Sequence, residues 1–84
     1  MNIENKIKAM GLELPTPGTP PAGRAGAVQV GNILFVGGHT AGAEFKGKLG
    51  ADITVERAYE SAKDACLSCL ADVKLAIGDL DRVK

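Results

Sequence analysis

Tryptophan is absent from this 84-residue chain, and two phenylalanines and one tyrosine are its only aromatics. Phe35, Phe45 and Tyr59 are scattered rather than interleaved with a basic stripe, so no stacking platform for single-stranded RNA is offered. Charge of one sign is also missing. Ten basic and ten acidic side chains cancel, leaving no overall positive field to draw in nucleic acid or an anionic membrane surface. Cysteine is confined to Cys66 and Cys69, and no Asn-x-Ser/Thr acceptor occurs; nothing suggests a secreted disulfide scaffold. No long apolar run exists, because the uncharged stretch from Ala25 to Ala43 is broken by glycines and by Gln29, Asn32, His39 and Thr40, unlike a membrane-spanning helix. The opening MNIENKIKAM lacks the apolar centre and small-residue cleavage site of a secretory signal. The expectation is a cytoplasmic protein that binds neither nucleic acid nor membrane.

Length sets the next bound. A single domain of this size buries only roughly 60 to 65% of the surface its unfolded chain exposes, against an ordering cost on the order of 100 kcal/mol. Chains this small usually need a disulfide, a metal or a partner subunit as well.

Ile3, Ile7 and Met10 recur at helical spacing behind Asn2, a good N-cap, and Gly11 is a natural stop, which predicts a short helix within residues 1–11. Residues 12–24, LELPTPGTPPAGR, hold all four prolines and read as an extended, wrapping arm. Ala27 to Val30 and Ile33 to Val36 are β-prone runs about Gly31-Asn32, predicting a hairpin over 27–37. The uniformly apolar second run implies a strand covered on both faces. A glycine-punctuated loop then leads to Thr54, a cap for a helix over 55–77 ended by Gly78.

On that helix Val55, Ala58, Tyr59, Ala62, Ala65, Cys66, Cys69, Leu70, Val73, Ala76 and Ile77 share one arc, opposite Arg57, Glu60, Asp64 and Ser68. The helix is about 35 Å long, while a hairpin of five-residue strands reaches about 17 Å. The hairpin cannot cover the arc. Leu80 and Val83 read as the lead-in to a third strand, so further sheet or a partner chain is expected. Leu75, central on the polar face, and Leu67 at its edge are candidate subunit contacts.

Three patterns invite a chemical reading. Gly42 to Lys48 reads G-x-x-x-x-G-K after a strand, yet Leu49 replaces the magnesium-binding Ser/Thr of a phosphate-cradling loop and Glu44 would repel phosphate. Cys66 and Cys69 have redox-motif spacing but sit mid-helix, where nothing lowers a thiol pKa; only His39 could join them on zinc, so they are read as core side chains and no metal is assigned. His39 follows the strand end, where reactive groups are often positioned. The sequence places no orienting acid, serine or second histidine beside it, so it is read as a site-lining residue and no catalytic residue is assigned.

The run AVQVGNILFVGGHT, the T-x-E-x-A start of the long helix and its end GDLDRV resemble the RidA family, also called YjgF or L-PSP endoribonuclease, and the opening EN-K-IKAMGLELP is similar to a subgroup with a short helix before a proline-rich arm. The chain resembles roughly that family's N-terminal half. The resemblance implies an α+β, chorismate-mutase-like fold, truncated here to a single partial domain over 1–84. It further implies a homotrimer with central sheets, outer helices and clefts between subunits, and hydrolytic deamination of reactive enamines and imines such as 2-aminoacrylate. No cofactor is implied. The ligand would be a small carboxylate-bearing imine.

In the family an arginine grips the carboxylate and an acidic residue orients water; both belong to the half without a counterpart here. Gly38 matches the glycine where backbone approaches ligand, His39 the neighbouring position, often glutamine, and Arg24 the place of a cleft tyrosine. Arg24, Gly38 and His39 are therefore the candidate ligand-binding residues. Loss of the chemistry, with retention as a binding or assembly module, is the alternative; the family's endoribonuclease label is a third.

Overall fold

Gly31 and Asn32 reverse the chain between strands β1 (Ala27–Val30) and β2 (Ile33–Val36). In the computed structural model, which describes residues 2–17 and 25–84, the pairing is antiparallel with Ala27 opposite Val36 and Val30 opposite Ile33. Of the two turn residues only Gly31 takes the left-handed backbone, at φ 60°, the arrangement in which glycine leads a two-residue hairpin turn.

Helix α2 spans Val55–Ile77. The Thr54 hydroxyl accepts the Arg57 N–H at 3.1 Å, and Gly78, at φ 86°, donates its N–H to the Lys74 carbonyl at 2.7 Å. Both ends are thus fixed by residues adjacent to them. Between β2 and α2 lie a 3-10 turn at Ala43–Phe45 and an isolated bridge of Leu49 with Ile53.

Helix α1 covers Asn2–Ala9. Its far end closes on Gly11, φ 77°, with the Leu12 N–H on the Ile7 carbonyl (3.1 Å) and the Gly11 N–H on that of Lys8 (2.9 Å). Two such bonds around a left-handed glycine satisfy the last carbonyls of the helix. Its start differs from expectation: Asn2 lies inside the helix, and the cap is Asp81, whose carboxylate accepts the Asn2 and Ile3 N–H groups at 2.7 and 2.8 Å. Asp81 belongs to a second 3-10 turn, Leu80–Arg82, formed where a third strand was expected; only Val83 beyond it returns to extended backbone. Glu4, Asp79 and Asp81 bring carboxylate oxygens within 4.8 Å of one another at this joint. Asp79 accepts the Asp81 N–H at 2.9 Å, and Glu4 is buried in the first turn of α1, where the helix dipole favours negative charge.

The Asn2 and Ile3 N–H groups are among the donors that hold the Asp81 carboxyl down at about 2 from an ordinary 3.8. A depressed folded pKa supplies stability that is present above 3.8 and lost as pH falls through about 2. Amide exchange in α1 is accordingly expected to accelerate across that acid window while α2 stays protected, and Asp81→Ala is expected to free α1 at neutral pH. Unchanged α1 protection in the variant would contradict the anchor.

Ile7, Val73 and Leu80 form the buried cluster, with Leu12, Leu14, Leu34, Leu67, Leu70 and Ile77 packed against it. The arm's start and α1 therefore cover the C-terminal half of the α2 arc. Its N-terminal half is covered only in part: Ala58 and Ala65 are half-buried, whereas Val55, Tyr59, Ala62 and Cys66 are exposed. Cys66 is thus not a core side chain, although Cys69 is half-buried, and Leu67 packs inward rather than marking a subunit contact. Leu75 is exposed. Directly opposed strand residues share a face, so Val28 with Phe35 and Val30 with Ile33 make up one face of the hairpin, and all four are exposed. No helix among the described residues is long and apolar enough to cross a membrane.

Candidate functional site

The polar side of α2, expected to face solvent, faces the chain leaving β2. Asp64 accepts the Gly42 N–H at 2.9 Å. Two turns later Asp72 meets His39, with 2.5 Å between its Oδ2 and Nε2. The other ring nitrogen, Nδ1, lies 2.7 Å from the Gly37 carbonyl oxygen. Gly37 in turn donates its N–H to the Gly26 carbonyl at 2.8 Å, which joins this cluster to the start of the hairpin.

A carbonyl and an ionised carboxylate only accept hydrogen bonds. The ring therefore satisfies both partners only when both nitrogens carry protons. The bond to Asp72, then the bond to the Gly37 carbonyl, raise the His39 pKa above its ordinary 6.5. A raised folded pKa contributes stability that is complete below 6.5 and disappears as pH rises through the folded value.

Gly26 is needed for this approach. A Cβ there would lie 2.2 Å from Asp72 Oδ2 and 2.9 Å from Asp72 Cβ, so the aspartate could not keep its place. Gly38 is different. A Cβ on it would meet nothing within 4 Å, and its φ lies outside the left-handed range. Neither crowding nor backbone conformation within this chain requires glycine there; the space above it is open.

Of the residues singled out from sequence, Gly38 and His39 come together at the exit of β2, and Arg24 lies outside the described residues. His39 lines this end of the hairpin, but both of its nitrogens are engaged within the chain. Asp72 and Gly26 carried no pattern that marked them; the available signal was a lone carboxylate, Asp72, within the otherwise largely apolar CLADVKLAI segment.

The other arginines serve the scaffold. Arg57 stacks on Phe45, 4.1 Å from the ring centroid, and donates to the Glu44 carbonyl, whereas Arg82 donates to the Ile77 carbonyl. The G-x-x-x-x-G-K segment forms no phosphate cradle. Its first amide, on Gly42, is taken by Asp64, and the Glu44 carboxylate sits over Gly42, 2.5 Å from where a Cβ would stand.

No protein-family profile matches the chain. Among curated proteins it is similar to Protein TCP17 of Trypanosoma cruzi, 32% identical over 86 aligned positions that take in 98% of this chain and 54% of that protein. Among solved structures it is similar to a provisionally named endoribonuclease from Shewanella oneidensis MR-1. That match has a TM-score of 0.80 and 34% identity, and covers 94% of this chain and 55% of the other. The chain thus spans about half the length of the relatives it matches.

Proposed function

Because the chain carries an α+β fold of the RidA/YjgF type over roughly the first half of that fold, we propose that it forms one wall of a small-molecule site for carboxylate-bearing enamines and imines, with hydrolytic deamination as the reaction class. In that reaction water adds across C=N, the nitrogen leaves as ammonia, and a 2-oxo acid remains. The observation that carries the reading is Gly38: an exposed glycine at a strand end whose missing side chain nothing in this chain accounts for. Open space over a backbone held by the neighbouring His39 clasp is what a ligand lying on the main chain requires.

The groups that would grip the substrate carboxylate and orient the attacking water are not among the described residues at this end of the hairpin. Turnover therefore depends on groups from beyond it; since no copy of this chain carries counterparts of the family's arginine and acid, the self-association we propose, most simply as a trimer, closes the wall with other side chains of a second copy. The exposed face of Val28, Val30, Ile33 and Phe35 supports that assembly.

The test is release of ammonia and pyruvate from 2-aminoacrylate generated in the presence of the protein. Turnover above the uncatalysed rate is expected from the assembled protein. Saturable binding of pyruvate without turnover would replace the enzyme reading with a binding module. Gly38→Ala is expected to leave the stability within about 0.5 kcal/mol of the parent, since nothing is crowded, yet to lower turnover and pyruvate affinity. Equal loss of stability and binding would show that Gly38 serves the fold instead.

A further inference from the structure

We propose that His39 is a positioning residue: held as an imidazolium between Asp72 and the Gly37 carbonyl, it fixes the Gly37–Gly38 segment against α2 and makes the geometry of the ligand wall depend on one proton. The ligand part of this proposal rests on the function proposed above; the clasp does not.

Its basis is geometric. The His39 ring is 13% exposed and Asp72 21%, so the pair is partly shielded from competing water. With Nε2 on Asp72 and Nδ1 on Gly37, neither nitrogen remains to bind a ligand or to accept a proton from one. The bonds connect three pieces of chain: α2 through Asp72, the exit of β2 through Gly37 and His39, and the start of β1 through Gly26, whose carbonyl accepts from Gly37. Gly26 also leaves the space that Asp72 occupies.

Among the described residues Asp72 is the charged group facing the ring from α2. The hairpin side contributes only the Gly37 carbonyl, and Asp64, farther along α2, is engaged with Gly42. A positive ring beside a negative carboxylate carries no net charge, so the pair is poorly suited to anchoring an anion. Removal of the proton leaves one ring nitrogen with a lone pair facing an oxygen. One bond must then open, and the one to Gly37 releases the strand end next to Gly38.

His39 is the single histidine of the chain, so its ring signals can be followed in the whole protein by NMR without assignment ambiguity. The ring is expected to titrate above 6.5, and the Gly38 amide is expected to shift along the same curve. Asp72→Asn and Gly26→Ala, which disturb the clasp from opposite sides, are each expected to return the ring toward ordinary titration. A parent ring titrating at or below 6.5, or one that neither variant moves, overturns the proposal; so does a Gly38 amide that ignores the titration.

Pyruvate supplies the ligand arm. Its shift of the Gly38 amide is expected below the His39 transition and is expected to be lost above it. A pyruvate response that does not change with pH overturns the positioning role. No pyruvate response at any pH, with the Gly38 amide still following His39, counts against the proposed function while supporting the clasp.

Discussion

Leu80→Ala is expected to leave most of the chain unfolded at 25 °C. Leu80 is only 3% exposed and closes the cluster with Ile7 and Val73, so it is the point at which α1, α2 and the last turn meet. Truncating a buried leucine costs about 2 to 5 kcal/mol. A core in a domain this small rarely supplies more than about 3 to 5 kcal/mol in total, so the loss is comparable with the whole. Urea unfolding followed by far-ultraviolet circular dichroism checks it: the parent should show a cooperative transition and the variant a largely non-helical baseline. Leu75→Ala, at a leucine 69% exposed, is the control and should lie within about 0.5 kcal/mol of the parent. Near-parental stability of the Leu80 variant would mean that the cluster is not the core.

Phe35→Glu is expected to abolish the self-association proposed above, leaving a monomer. Phe35 is 59% exposed in the isolated chain and shares its face with Val28, Val30 and Ile33. Two strands form a sheet that is marginal in water, and a contiguous apolar face of this kind is what a protein interface uses. A charge placed there would be desolvated without a partner on association. Native mass spectrometry provides the readout: a multiple of 8.7 kDa for the parent, with a trimer expected, and a single copy for the variant. The parent's thermal midpoint should also rise with concentration, as for any fold stabilised by association. A stable, concentration-independent parental monomer would contradict both the assembly and the argument from the uncovered face.

The hairpin and α2 have the boundaries expected from sequence because their signals are local. Gly31-Asn32 lies directly between the strands, Thr54 caps an N–H three residues on, and Gly78 ends the helix it follows. That the hairpin leaves part of the apolar arc uncovered was equally readable from helical periodicity and the short reach of a hairpin; which part was not. Gly38 and His39 were legible as a strand-end pair through family resemblance, but the role of His39 was not. Its acid stands 33 residues away, at the border of the apolar arc of α2, where periodicity singles out nothing.

What the sequence by itself determined is the set of local elements, an α+β fold class, and a surplus of apolar surface. Only the tertiary structure decided that Asp81, 79 residues distant, caps α1; that DLDRVK turns at Leu80–Arg82; that Leu67 is inside and Cys66 outside; and that Asp72, in a space Gly26 leaves open, holds His39. The physical reason is range. Caps and turns are settled among neighbours within about four positions, whereas a carboxylate chooses its donor only after packing has brought distant segments together.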